Sequence, residues 1–468
     1  MATANAGLGV AERRRNLTST TSAVKAFFVG RRRRNGELIL IVLGGLVTTG
    51  AYVLASAGRL SSIPANAGPF LVAILGLFFA AHVATRFLAP EADGMLLAIA
   101  GLLNGLGYVF IARLNDELAA QQAIWTFLGV ATYIATLALV RRSRDLERYR
   151  YTLLIGGLVF LLLPMLPVIG QTINGSRIWV RIGPINFQPG EFAKLALAIF
   201  FASYIVDNRA LFNARTWKLG PLRLPEPRHI APLLLAWGIS LMVMVSQRDL
   251  GTSLLFFMLF VIVLWVGTER ISYLFAGLVL FLVGAVISWR MFSHVQVRVS
   301  AWLDPWADPL GGGYQVVEAQ FGLATGGLTG TGPGRGYPQR VPAAETDFIF
   351  STIGEELGLL GTTALLMAFV LMIGSGLRAA LGATRPFAKL LATGLTGLLG
   401  VQAFIIIAGV TRVLPLTGVT LPFVSYGGSS LLANYALLAI VMRISDEQVD
   451  RPGDAPLIGD RGRVRGAT

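Results

Sequence analysis

Runs of about twenty apolar residues recur from Glu37 almost to the C-terminus, at 37–57, 68–88, 95–113, 121–140, 151–170, 191–206, 230–246, 251–267, 272–290, 356–375, 387–409 and 421–442. A helix needs roughly 20 apolar residues to cross the hydrocarbon core of a bilayer. The runs are continuously apolar rather than alternating, and every backbone group must be satisfied inside lipid, so they read as helices and not as barrel strands. With 54% hydrophobic and 14% charged residues among 468, the chain has too little polar surface for a water-soluble globule. The expected fold is an all-α polytopic membrane protein of about 12 transmembrane helices.

One polar, Gly- and Pro-rich segment interrupts this pattern, from about Val297 to Glu356. It contains Asp304, Asp308, Glu318, Arg335, Arg340, Glu345, Asp347, Glu355 and Glu356 among aromatics and glycines. Long loops of this kind usually carry function. Lys and Arg near span ends set orientation. Arg13 to Arg15, Lys25 and Arg31 to Arg34 place the N-terminus in the cytoplasm, as does the arginine-rich loop RRSRDLERYR that follows the fourth span. Alternation then puts both termini inside and the polar segment outside, as a large external loop between spans nine and ten. The loop GQTINGSRIWVRIGPINFQPG shares that external face with two short turns holding Asp249 and Arg412.

Most of the net charge of +14 is accounted for by cytoplasmic flanks that meet anionic lipid, which argues against a nucleic-acid partner. Cysteine is absent, which excludes disulfides and thiolate chemistry, and His82, His229 and His294 are far apart in sequence. The first 35 or so residues read as a retained basic tail rather than a cleaved signal. The stretch after Arg443 has the composition of disorder.

Several constellations could carry chemistry. Asp308 stands before Pro309 and the run Leu310, Gly311, Gly312, Gly313, Tyr314, Gln315, a carboxylate pinned beside backbone that a ligand can approach closely. Asp-Pro is also an ordinary turn starter. Glu191 and Lys194, three residues apart behind Pro189, share a helical face, where they either snorkel to the interface or bind an anion. Gln247 and Asp249 sit in a turn so short that they stay at the membrane boundary, and Asp249 is equally suited to cap the next helix. Arg177 and Trp179 suit phosphate or sugar contact, or interfacial anchoring.

The ordered motifs NGSRIWVRIG, QPGEFAKL, QRDLGTS, DPLGGGYQ, TDFIFSTIGEELG and LPFVSYGGSS resemble the shape, elongation, division and sporulation (SEDS) family of RodA and FtsW, over about 95 to 443. The resemblance implies a ten-span core at 95–443 with its catalytic loop at about 291–355. It leaves a basic tail at 1–36, two additional helices at 37–94 and a tail at 444–468. It further implies a peptidoglycan glycosyltransferase that polymerises lipid II into β-1,4-linked glycan on the outer face of the cytoplasmic membrane. A class B penicillin-binding transpeptidase would be its partner.

On this resemblance Asp308 is the catalytic residue, acting as general base on the acceptor 4-hydroxyl while undecaprenyl pyrophosphate leaves with inversion. Lys194 carries the strongest family correspondence among the cations available to the pyrophosphate, which are Arg177, Lys194, Arg298 and Arg412. A divalent cation, Mg or Mn, would serve the same need. Glu191 and Asp249 match family cavity positions, and Gln247, Trp179, Tyr314 and Gln315 complete the expected substrate contacts. Gly190, Arg248, Ala343 and Glu345 depart from the family's usual residues, which leaves the details of the loop before Thr346 open. The RodA branch fits the short tail and the loop best, with FtsW, a lipid II flippase or a non-catalytic scaffold as alternatives.

Overall fold

Hydrocarbon offers backbone groups no partners, and the chain answers with helix along most of its length. The computed structural model describes residues 34–448, excepting positions 60, 62–66, 174, 184, 215, 220–221 and 226. The greater parts of the two predicted tails therefore lie outside the described residues. In chain order the helices are α1 (Arg34–Arg59), α2 (Ala67–Leu88), α3 (Gly94–Leu114), α4 (Asp116–Leu139), α5 (Ser143–Arg148) and α6 (Arg150–Leu162). There follow α7 (Gly190–Ala214), α8 (Pro227–Ser246), α9 (Leu250–Thr268), α10 (Ser272–Met291), α11 (Ser293–Leu303) and α12 (Tyr314–Gly326). The last three are α13 (Ile349–Gly382), α14 (Pro386–Val410) and α15 (Gly428–Asp446).

Among the described residues ten helices are long and apolar enough to cross a membrane: α1 to α4, α7, α9, α10, α13, α14 and α15. Two shorter apolar helices, Arg150–Met165 and Ile230–Ser246, occupy the fifth and seventh predicted spans. The chain is a multi-pass, all-α membrane protein.

Three boundaries differ from expectation. The fifth span stops early, at Pro164 in a 3-10 turn, and the chain then folds into a three-stranded antiparallel sheet, β1 (Gly170–Ile173), β2 (Ser176–Ile182) and β3 (Ile185–Phe187), where an irregular loop was expected. Ile178, Val180 and Ile182 put β-branched side chains on every second position of β2, which favours strand over helix. The tenth predicted span begins earlier, at Ile349, and its helix is broken by a non-helical backbone at Gly358. The last span begins at Gly428 rather than 421, because Pro422 lacks an N–H and the chain around it runs as a buried, non-helical segment. A second hairpin, β4 (Thr216–Leu219) with β5 (Leu222–Pro225), joins α7 to α8.

The centre of the bundle is α15, almost wholly buried, packed on α4 and flanked by α14, α13 and α7. Arg443 of α15 donates to Val140 O (2.8 Å), Leu137 O (2.7 Å) and Leu88 O (2.6 Å), satisfying carbonyls orphaned where α2 and α4 end. By contrast α10 exposes Phe275, Leu278, Leu282 and Val286, an apolar face suited to lipid. The N-terminal helix α1 is fixed by buried polar contacts: Arg34 bonds Glu37 and Ala92 O, and Glu37 Oε1 meets His82 Nδ1 of α2 at 2.8 Å.

Candidate active site

At one end of the bundle, α10 gives way to α11, a 3-10 turn at Pro305–Ala307 and α12. Asp304 caps the turn by accepting the Trp306 N–H (3.1 Å). Asp308 closes it: its Oδ2 accepts the Gly312 N–H at 2.7 Å and its carbonyl accepts the Gly313 N–H at 3.0 Å. A Cβ at Gly313 would stand 2.1 Å from Pro305 O, so only glycine permits this tight return of the chain. The result is an exposed carboxylate with one oxygen held by backbone and the other directed to no protein donor among the described residues. Beside it a cavity of about 110 Å³ is lined by Arg298, Trp302, Gly312, Gln315, Arg412 and Leu416, among others. The hydroxyl of Tyr314, at the start of α12, makes a long contact with Arg340 O (3.4 Å).

Arg412 has a structural task here. Its Nε and Nη2 donate to Trp302 O (2.8 Å) and Leu303 O (2.6 Å), and Trp302 Nε1 donates back to Arg412 O (3.2 Å). This fork ties the end of α11 to the chain that follows α14. A lysine cannot reproduce two fixed donors. Arg412→Lys is expected to cost about 1–3 kcal/mol, visible as a lower thermal midpoint and faster proteolysis in 293–348. An unchanged midpoint with weaker substrate binding would instead make Arg412 a substrate ligand.

Arg298 donates to Thr417 O (2.9 Å) and lies within electrostatic reach of Asp347. Burial pushes the Asp347 carboxyl up to about 6, against the pull of Arg298 and with a smaller push from Glu345. An acid whose pKa is raised on folding destabilises the fold when ionised. That penalty is present above about pH 6 and disappears as pH falls toward the unfolded value. Wild type should therefore gain thermal stability between pH 7.5 and 5, and Asp347→Asn should lose that part of the response.

Deeper in the bundle, Pro189 leads into α7, and its first turn carries Glu191 and Lys194, buried and paired at 2.8 Å. The pair is close but too bent for a hydrogen bond, so Glu191 Oε2 keeps acceptor capacity. Lys194 Nζ also approaches Gln402 Oε1 of α14 (3.5 Å), and Gln402 Nε2 donates to Thr420 O (2.8 Å). Asp249 caps α9 by accepting the Thr252 N–H (2.9 Å) and lies within electrostatic reach of both Glu191 and Lys194. Capping and charge coupling thus coexist at Asp249.

Gln247 donates to Leu161 O (2.5 Å) and accepts the Arg177 N–H at its own carbonyl (3.1 Å), so it pins the β1–β3 sheet to the α8–α9 turn. Arg177 spends Nε and Nη2 on Pro164 O (3.0 Å) and Leu166 O (3.2 Å). Trp179 lies half-buried on β2 opposite Gln171. The structure therefore brings Glu191, Lys194 and Asp249 together, and places Arg298, Gln315 and Arg412 around the cavity beside Asp308. It sets Arg177, Trp179 and Gln247 at the sheet's anchorage.

The two groups share a wall, the non-helical chain from 411 to 427. Thr417 O receives Arg298 on one side, and its oxygen would lie 2.6 Å from a Cβ at Gly251 of α9 on the other. Gln402, Thr417 and Thr420 were not singled out in the sequence. Gln402 carried a usable signal, since it is a lone amide in the apolar run of α14. Among the described residues no group of three or more His, Asp or Glu is placed to hold a metal ion.

Residues 95–450 match the cell cycle protein family of FtsW, RodA and SpoVE. The chain belongs to this family. FtsW/RodA/SpoVE relatives include the peptidoglycan glycosyltransferase RodA of Mycobacterium tuberculosis strain H37Rv, 46% identical over 88% of this chain and 90% of its own. The probable peptidoglycan glycosyltransferase FtsW of Geobacter metallireducens is 32% identical over 77% of this chain and 96% of its own. That difference places the chain in the RodA branch. A solved structure described as coordinating polymerization and crosslinking in a peptidoglycan synthase complex superposes with a TM-score of 0.64. It is 29% identical, covering 77% of this chain and 99% of that one. The Thermus thermophilus rod shape determining protein RodA is 26% identical with a TM-score of 0.56, over 77% and 98% of the two chains.

Proposed function

We propose that this protein is a RodA-type peptidoglycan glycosyltransferase that polymerises lipid II into β-1,4-linked glycan for cell elongation. The observation that carries the chemistry is the exposed Asp308 carboxylate, held through one oxygen by the Gly312 N–H at the edge of a cavity lined by cationic side chains. The free carboxylate oxygen accepts the proton of the acceptor sugar's 4-hydroxyl. The hydroxyl oxygen forms the new bond to the donor's anomeric carbon as the bond to the lipid pyrophosphate breaks on the opposite face. One inversion converts an α-linked donor into a β-linked product, and the electron pair leaves with undecaprenyl pyrophosphate.

Of the four cations expected to meet the pyrophosphate, Arg177 and Arg412 commit donors to carbonyls that hold the fold. Lys194 and Arg298 are the better candidates, Lys194 because a rotatable ammonium keeps donors beyond those facing Glu191 and Gln402. Among the described residues no group of three or more His, Asp or Glu would cage a divalent cation. The 95–443 core would do this work on the external face, with both termini cytoplasmic and a class B penicillin-binding transpeptidase as partner. A buried Glu–Lys pair also suits a transporter of charged headgroups, and the test separates the two readings. Purified protein with its transpeptidase should convert lipid II into glycan strands. Lipid II translocation across liposomes without strand formation would replace polymerase by flippase.

A further inference from the structure

Away from Asp308 and Lys194, a cleft of about 540 Å³ is lined by Gly58, Arg59, Arg113, Leu114, Gly334, Arg335, Gly336, Tyr337 and Gln339. Three arginines face it, and no carboxylate lines it among the described residues. Arg113 is oriented from behind, its Nε on Glu356 Oε1 (3.1 Å) and its Nη2 on Gly336 O (2.9 Å). Arg59 spends one donor on Arg113 O (3.3 Å). Arg335 is exposed, its backbone N–H donates to Gly332 O (3.0 Å), and its guanidinium makes no hydrogen bond or ion pair among the described residues. Helix capping accounts for Arg59 in part, and no contact among the described residues employs the Arg335 guanidinium.

The cleft is built rather than incidental. Its floor is a backbone-on-backbone contact: a Cβ at Gly58 would lie 2.1 Å from Pro333 O, and one at Gly334, at φ +76°, would lie 2.0 Å from Ala55 O. Its depth is marked too. Arg59 and Arg113 fall at the ends of the apolar helices α1 and α3, and one turn or two below them Tyr52, Phe70 and Tyr108 form a ring column with centroids 4.8 and 5.0 Å apart. Such aromatics collect at the headgroup level of a bilayer, and Leu54 beside them is exposed on α1. Glu356 compensates Arg113 from behind, which leaves the guanidinium groups of Arg59 and Arg335 facing the cleft with no carboxylate in its lining among the described residues, and guanidinium forks match phosphate oxygens.

We propose that this cleft binds the phosphate of an anionic membrane lipid, held jointly by α1, the end of α3 and the 330–340 turn. The site is independent of the catalytic assignment, because it uses neither Asp308 nor Lys194. It also gives the N-terminal helix α1 a task in the assembled protein.

Native mass spectrometry of the full-length protein tests it, with phosphatidylglycerol as probe and phosphatidylcholine as control. Wild type should retain phosphatidylglycerol preferentially, and Arg59→Ala with Arg335→Ala should weaken retention at least tenfold at an unchanged melting temperature. Should that pair misfold, Arg335→Glu alone, on an exposed turn, carries the test and should abolish the preference. Displacement by undecaprenyl pyrophosphate would assign the cleft to a lipid-linked pyrophosphate, and failure of displacement to a resident phospholipid. Either supports a lipid-phosphate site. Equal retention by wild type and a folded variant, or no preference over phosphatidylcholine, overturns it.

Discussion

Asp308→Asn should lower the rate of lipid II polymerisation by about 10²–10⁴-fold, the range that general base catalysis contributes. The substitution discriminates because of how the residue is held. Its only side-chain bond among the described residues is as acceptor from the Gly312 N–H, and an asparagine carbonyl accepts the same bond. The turn at Pro305–Gly313 should therefore survive, and with an exposed side chain the stability change should stay within about 0.5 kcal/mol. What asparagine cannot do is take a proton from a sugar hydroxyl. Asp308→Ala is the weaker experiment, since it also abandons Gly312 N–H and lets the turn relax. Gel analysis of glycan strands, with melting curves and transpeptidase co-purification as controls, reads the result. If the asparagine variant polymerises at the wild-type rate while the alanine variant does not, Asp308 is a turn-forming residue and the base lies elsewhere.

The membrane bundle was legible because lipid allows one solution to a long apolar run, and every predicted span from 37–57 to 387–409 overlaps a helix. The errors fall where polar chain at the membrane boundary has alternatives. At 170–187 the β-branched alternation of Ile178, Val180 and Ile182 was hidden between two long apolar runs. At 421–427 hydrophobicity was mistaken for helix, although Pro422 and Gly427 both argue against it. Site residues were legible as types more than as roles. An arginine at a span end looks the same in sequence whether it meets a phosphate or a carbonyl. The carbonyls that occupy Arg177 and Arg412 come from Pro164, Leu166, Trp302 and Leu303, and backbone leaves no mark in the residue pattern. The electrostatic approach of Arg298 to Asp347 was equally invisible, because both side chains come up to the 411–427 chain at Gly418.

Lys194→Met should damage both stability and activity, and a second substitution separates the two. Glu191 and Lys194 are each about 97% buried, and the carboxylate of Asp249 lies within electrostatic reach. Removing the ammonium leaves Glu191 as an uncompensated buried charge beside another acid, a loss of about 3–5 kcal/mol. Glu191→Gln with Lys194→Met removes both charges, and a buried pair replaced by neutral groups of similar size is often close to neutral in stability. The double variant should therefore recover most of the melting temperature. Activity should not follow. If Lys194 meets the pyrophosphate as it departs, its loss removes about 2–4 kcal/mol of transition-state stabilisation, or roughly 30- to 1000-fold in rate, whatever happens to Glu191. A double variant that regains wild-type stability and wild-type polymerisation together would show that the pair only holds α7 in the bundle. The cation for the leaving group would then have to be sought at Arg298, across the shared wall at Thr417.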